Sequence, residues 1–198
     1  MGEYRFNLEA GGNLEYLNDM EFQLVRNIIS QERAYIMYDY FLSKYDSGDF
    51  YDPQVFGASS FYKDIEVYKL QFDLLEVMQK KTGRKLYTTY NYTRVYNNKS
   101  YLDEHTDREA CEVTLDICMG YQGDYVWPIW MKDNNNQKHY VDLKPGDGLI
   151  YDGLHTSHGR DKADDRVQRQ VNCFFHYVDA DGPYKNYILD LFRKNQMR

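Results

Sequence analysis

The chain has 198 residues, 42% of them hydrophobic, and a formal charge of −7, which suits one globular domain with a core of its own and excludes a disordered segment. The acidic balance argues against nucleic acid as a partner. No run approaches the roughly 18 apolar residues of a membrane-spanning helix. The N-terminus lacks the basic-then-apolar order of a signal peptide, and position six is not the Ser or Thr of a myristoylation signal. Cys111, Cys118 and Cys173 are odd in number and form no C-x-x-C pair, so reduced thiols in a cytoplasmic protein are expected rather than a disulfide framework.

The first third reads as helical. Ser30 is a candidate N-cap, followed by apolar positions at Ile36, Tyr40 and Phe41, and Ser47-Gly48-Asp49 supplies the stop. Pro53 to Ser60 reads as a loop. A second helix is expected from about Tyr62 to Lys81, with Ile65, Tyr68, Leu70, Phe72, Leu75 and Met78 on one wide face. Thr82-Gly83 closes it, with Lys80 and Lys81 at the negative end of the dipole.

From Lys85 the pattern alternates. Leu86 to Tyr96 is a long strand candidate, and Glu112 to Met119 is another, ended by Gly120. Tyr125 to Met131 and Lys138 to Leu143 read as a hairpin about the polar tip Asp133 to Gln137. After the turn Lys144-Pro-Gly-Asp147 come a short strand at Leu149 to Tyr151 and a last strand from Gln170 to Val178. A short amphipathic helix is expected from Tyr184 to Arg193. Helices followed by many short strands predict a mostly β fold: a jelly roll with flanking α-helices. The expectation is one domain, with helical support over 1–84, the jelly-roll core over 85–183 and a C-terminal helix over 184–198.

Of five histidines, His105 opens the triplet His-Thr-Asp107. Residues i and i+2 of an extended chain share a face, so both side chains can reach one ion. His158, at the end of His155-Thr-Ser-His158, can add a third ligand from a distant strand. Two histidines and a carboxylate on one face leave three open positions, the arrangement expected for iron(II) that binds a cosubstrate and dioxygen together.

The chain resembles the 2-oxoglutarate and iron(II)-dependent dioxygenase superfamily, in its prolyl-hydroxylase-like branch. The residues that carry the resemblance are Thr89 to Tyr96, His105 to Val113, Trp127-Pro-Ile-Trp130, Pro145 to Tyr151, His158-Gly-Arg160 and Phe174 to Asp179, in that order over roughly Phe61 to Tyr184. The resemblance implies a double-stranded β-helix (cupin-like) core, iron(II), 2-oxoglutarate and dioxygen, and release of succinate and carbon dioxide. It favours His158, followed by Gly-Arg160, over His155 as the distal ligand, and leaves His155 as an orienting group.

The family's far carboxylate of 2-oxoglutarate meets a basic residue in the barrel. Arg169 has the usual spacing from His158, whereas Arg160 shares that histidine's face. Registering the last strand from Tyr177-Val-Asp179 turns Gln170, Asn172 and His176 inward and leaves Arg169 out. Arg160 and Arg169 therefore stand as equal candidates, with Arg166 and Arg108 behind. Tyr92 or Tyr96, on a strand where Tyr90, Tyr92, Arg94 and Tyr96 alternate, is a candidate partner of the cosubstrate. Trp127 and Trp130 are expected to line or brace the substrate side, and His139 and His176 to be non-ligands. The prime substrate is left open between a peptidyl side chain, an amino acid and a small metabolite. Two other readings use the same residues: a cupin-like module that binds a small ligand without oxidation, and a zinc hydrolase.

Overall fold

The computed structural model describes residues 22–52 and 54–191. Ten strands and two α-helices form its frame. In chain order these are β1 (Phe22–Val25), α1 (Gln31–Ser43), β2 (Ser59–Tyr62), α2 (Ile65–Thr82), β3 (Leu86–Tyr96) and β4 (Leu102–His105). β5 (Val113–Tyr121), β6 (Ile129–Lys132), β7 (Lys138–Val141), β8 (Gly148–Asp152), β9 (His158–Arg160) and β10 (Gln170–Asp179) follow.

The strands make two antiparallel sheets, one ordered β1-β8-β5-β10-β3-β2 and a smaller one ordered β4-β9-β6-β7. Facing sheets of this kind form the expected jelly roll. The local signals explain the helices. The Ser30 hydroxyl accepts from Arg33 N–H at 3.2 Å and starts α1, and the Asp64 carboxylate accepts from Glu66 and Val67 to start α2. Gly83 ends α2 in the left-handed region, at φ 67°, where a side chain would be strained.

Both helices pack on the outer face of the large sheet. Ala34, Met37, Tyr38 and Phe41 of α1 and Val67, Leu70, Leu74 and Met78 of α2 bury against Leu115, Ile117, Val171, Phe175 and Tyr177. Each large side chain removed from water in this way contributes roughly 1.5–3 kcal/mol. The opposite face of the same strands turns toward the small sheet and carries both buried polar residues, Arg94, Asp116 and Asn172 among them, and an apolar cluster in which Cys118, Leu149 and Tyr151 meet Ile129 and Met131.

Several expectations are corrected. A strand, β1, precedes the helices and pairs with β8, and β2 begins at Ser59 inside the expected loop. Of the expected core positions, Phe41, Leu70 and Met78 are buried, and Tyr40 and Leu75 pack partly buried against the core. Ile36, Ile65 and Phe72 are instead exposed at 62%, 64% and 53%, and Ala34, Met37, Tyr38, Val67 and Leu74 complete the stripes. A helix with apolar residues all round offers more than one stripe, and packing against the sheet selects between them. β5 continues through Gly120, because a Cβ there would meet the Tyr38 ring at 2.7 Å and its absence lets α1 lie close. The expected strand from Tyr125 begins only at Ile129. The C-terminal segment is a 3-10 turn over Lys185–Asp190, broken by non-helical backbone at Ile188 and Leu189. The end of the helix expected up to Arg193 lies outside the described residues.

Candidate metal centre

β4 and β9 pair so that His105 stands opposite His158. Asp107 follows β4, and its position is fixed from the neighbouring turn: its N–H donates to Gly153 O at 2.7 Å. A side chain at Gly153 would collide with Cys111 O at 2.1 Å and reach Asp107 Oδ2 at 2.9 Å, so the turn needs glycine to approach the carboxylate. One ligand atom from each of His105, Asp107 and His158 lies within 4.8 Å of the others. Asp107 Oδ1 is 3.7 Å from His105 Nε2 and 3.9 Å from His158 Nε2.

The hydrogen bonds around the three side chains leave the right atoms free. His105 Nδ1 meets Asp103 O at 2.9 Å and His158 Nδ1 meets Thr156 O at 2.9 Å. A carbonyl can only accept, so Nδ1 carries the proton in both rings and each Nε2 keeps its lone pair for a cation. Thr114 Oγ1 donates to Asp107 Oδ2 at 3.2 Å, leaving Oδ1 toward the histidines. Burial holds the His158 imidazole down to about 4 and lowers that of His105, the latter also by the neighbouring His158. Burial pushes the Asp107 carboxyl up to about 6, against the opposing pull of His105, Thr114 and the nearby arginines. A carboxylate out of water with two neutral imidazoles beside it is a site short of positive charge, which a divalent cation supplies. The donor set fits iron(II).

His155 points elsewhere: its Nδ1 pairs with Asp152 Oδ2 at 3.0 Å and its side chain is 69% exposed. His139 pairs with Asp133 on the hairpin tip, and His176 Nδ1 meets Thr114 Oγ1 at 3.0 Å. His176 stands beside the centre, since Asp107, Cys111 and His176 form a second group of converging ligand-type atoms that shares Asp107.

The two arginine candidates part company. Arg160 is buried on the interior face with His158, where Nη1 donates to Trp127 O at 2.6 Å and Nη2 to Asp116 Oδ2 at 3.3 Å. Arg169 donates to Gln168 O at 2.8 Å and lies 4.4 Å over the Tyr45 ring, on the helix-bearing side. The last strand is registered with Gln170, Asn172 and His176 inward, opposite Tyr96, Arg94 and Thr114. Arg166 is exposed and paired with Asp164, and Arg108 is paired with Asp190.

Among the buried polar atoms of the described residues that have no hydrogen-bond partner are Arg160 Nε and Tyr96 OH. Their groups adjoin, with the guanidinium 5.3 Å from the Tyr96 ring. Orphaned buried donors are costly, and a pair of them in one chamber is what a carboxylate acceptor would satisfy. Tyr92 is already engaged, donating to Asp52 Oδ2 at 3.0 Å. Trp127 braces Arg160 from 5.2 Å, whereas Trp130 packs on the far face of its sheet, over Gly159 and under Lys138.

Sequence reasoning passed over Arg94 and Asp52. Arg94 was read as one of four alternating residues on β3, and it is the second buried cation of the interior, with Nε 2.9 Å from Asp52 Oδ2. An alternating strand that places one arginine among tyrosines carried the signal. Asp52 stood in a loop and gave none.

No family model matches the chain, and comparison with curated protein sequences finds no match. Comparison with solved structures does. A 2OG-Fe(II) oxygenase family oxidoreductase from Burkholderia pseudomallei aligns with a TM-score of 0.68 at 11% identity, over 90% of this chain and 95% of its own. The chain has the fold of the 2-oxoglutarate and iron(II)-dependent oxygenases. A Pseudomonas putida prolyl-4-hydroxylase aligns at 0.65 and 11% identity, over 81% of this chain and 94% of that one. HygX from Streptomyces hygroscopicus, solved with nickel and 2-oxoglutarate bound, aligns at 0.62 and 13%, over 83% and 85%. Among the described residues no helix is long and apolar enough to cross a membrane.

Proposed function

We propose that the protein is an iron(II)- and 2-oxoglutarate-dependent oxygenase, with His105, Asp107 and His158 as the metal ligands. The observation that carries this reading is the convergence of two Nε2 atoms and one carboxylate oxygen, all aimed by hydrogen bonds, inside a jelly roll of the oxygenase fold. Iron(II) held there would supply dioxygen chemistry, with 2-oxoglutarate as the electron donor that leaves as succinate and carbon dioxide.

The chain's own groups have separate tasks. Asp103 O and Thr156 O fix the imidazole tautomers, and Thr114 fixes the carboxylate. Arg160 and Tyr96 take the far carboxylate of 2-oxoglutarate, which the unpartnered Arg160 Nε and Tyr96 OH support. The prime substrate is a peptidyl side chain, an amino acid or a small metabolite. Three buried, unpaired cysteines suit a reducing compartment and support a cytosolic location. No feature among the described residues favours the binding-module reading.

Anaerobic iron-loaded protein titrated with 2-oxoglutarate should develop the visible absorption of the chelated cosubstrate. Asp107→Ala, folded by circular dichroism, should lose metal affinity by more than the roughly 10–100-fold that removal of an outer-shell partner costs. Wild type without the absorption band, or Asp107→Ala with unchanged metal affinity, refutes the assignment.

A further inference from the structure

Two carboxylates serve the two interior arginines, and they are held very differently. Asp116, the partner of Arg160, lies in the middle of β5 between buried Leu115 and Ile117, with β8 and β10 paired on either side. It cannot leave without dismantling the sheet. Asp52, the partner of Arg94, comes from the connection between the Tyr45–Ser47 turn and β2. Its side chain is 3% exposed although Tyr51 beside it is 91% exposed. The chain thus dips from the surface to insert a single carboxylate.

That carboxylate fills a built cradle. Asp52 Oδ2 accepts from Arg94 Nε at 2.9 Å, Tyr92 OH at 3.0 Å and Ser60 Oγ at 3.4 Å, and Arg94 Nη2 stands 2.8 Å away. Four donors on one oxygen, all from strands β2 and β3, form a recognition site for any carboxylate of the right reach. Gln54 Oε1 takes the remaining reach of Arg94 at 3.0 Å, again from the connection rather than the barrel. The cradle also belongs to the same interior as Arg160: Arg94 stands opposite Asn172, whose amide donates to Asp116 Oδ1 at 2.8 Å, on the carboxylate that partners Arg160.

We propose that the Arg94–Tyr92–Ser60 cradle is a binding site for a ligand carboxylate and that Asp52 is its built-in competitor, displaced when a carboxylic acid enters the chamber. This inference rests on the oxygenase reading only for the identity of the ligand. The far carboxylate of 2-oxoglutarate is assigned to Arg160 and Tyr96, so the carboxylate for the cradle is that of the prime substrate, which presents two oxygens to the arginine fork. That makes the substrate an acid, such as an amino acid or a peptide C-terminus.

Displacement of Asp52 frees its connection, so the amides of Gln54, which donates to Asp52 Oδ1 at 2.9 Å, and of the fully buried Val55 report it. Their hydrogen exchange in metal-free wild-type protein should accelerate severalfold in concentrated acetate, and not in acetamide or in chloride at equal ionic strength. Arg94→Gln should abolish the acetate response. Asp52→Asn, a weaker competitor of the same shape, should show the response at lower acetate concentration. Acetate and acetamide acting alike, or no acceleration in wild type, overturns the proposal and leaves Asp52 a fixed structural partner. The second arm uses iron-loaded anaerobic protein. Exchange unchanged by saturating 2-oxoglutarate is the expected result, and accelerated exchange would overturn the assignment of the cradle to the prime substrate. The acetate arm needs neither iron nor cosubstrate, so failure of wild type to bind 2-oxoglutarate would sink the oxygenase reading and leave the acetate result standing.

Discussion

At the scale of single residues, protonation decides what the centre can hold. Asp107 must be ionised to ligate, and its carboxyl titrates at about 6, while burial keeps His158 neutral down to about 4. Metal affinity should therefore fall about tenfold per unit of pH below that point, with the carboxylate rather than the imidazoles responsible. Titration with manganese(II) between about pH 5 and pH 7 checks it, and an affinity flat across that window would contradict it. The sign for stability is opposite. A carboxyl raised above its unfolded value contributes stability that is present at low pH and lost as pH rises through the folded value. Metal-induced stabilisation should accordingly grow with pH. The arginines give a second expectation. Arg160→Ala removes a buried cation from the chamber and should weaken 2-oxoglutarate binding by about 3–5 kcal/mol. Arg169→Ala, on the other side of the sheet, should change it by less than about 1 kcal/mol. Equal effects on the titrated absorption band would mean that neither arginine is the anchor. Because Arg160→Ala also strands buried Asp116, its unfolding midpoint belongs beside its affinity.

At the scale of elements, the junction between α2 and the large sheet carries a polar contact that holds the site in register. The β10–β3 ladder shifts between Phe175 and Tyr177, so His176 falls at a bulge. Gln71, fully buried on α2, donates through Nε2 to Tyr90 O at 3.2 Å and His176 O at 2.9 Å. These are the carbonyls beside the irregularity. Gln71→Leu keeps the apolar packing but leaves both acceptors unsatisfied, and should cost about 1–3 kcal/mol by denaturant unfolding. A loss below about 0.5 kcal/mol would show that water replaces the amide. This is the kind of element the sequence conceals. The extent of β3, from Leu86 to Tyr96, was legible because alternation persists over the whole strand. The stripes of α1 and α2 were legible only in part: Phe41, Leu70 and Met78 are buried as expected, but Ile36, Ile65 and Phe72 look as core-like as the residues that are buried. β4 and β9, four and three residues long, gave no periodic signal at all, and it was the ligand pattern that marked them.

At the scale of the whole molecule, the outline and the candidate centre were readable for a shared reason. A jelly roll needs many short strands, and the proposed facial site draws its ligands from two distant segments of them, so the pattern His105, Asp107 and His158 points to the fold and to the candidate centre together. The resemblance supplied the double-stranded β-helix, and the solved structures bear that out as a likeness of fold. What stayed hidden depends on contacts between segments far apart in the chain. Arg94 and Asp52 are 42 residues apart and meet only when the connection ahead of β2 folds over the barrel. The net charge of −7 likewise hid two buried arginines, because composition does not say where a charge sits.

The pairing of His105 with His158 across β4 and β9 has a consequence in time. During synthesis His105 and Asp107 emerge before His158, and the nascent chain cannot close the proposed centre until β9 is out. On the proposed ligand set, the small sheet, whose strands run to four residues at most, would gain a cross-link between two of them when an ion binds. Metal should thus act as the last fastener of this sheet. Amide protection in β4 and β9 should rise on metal loading while β3 and β10 remain as they were, and pulse-labelled refolding with and without manganese(II) would display that order directly.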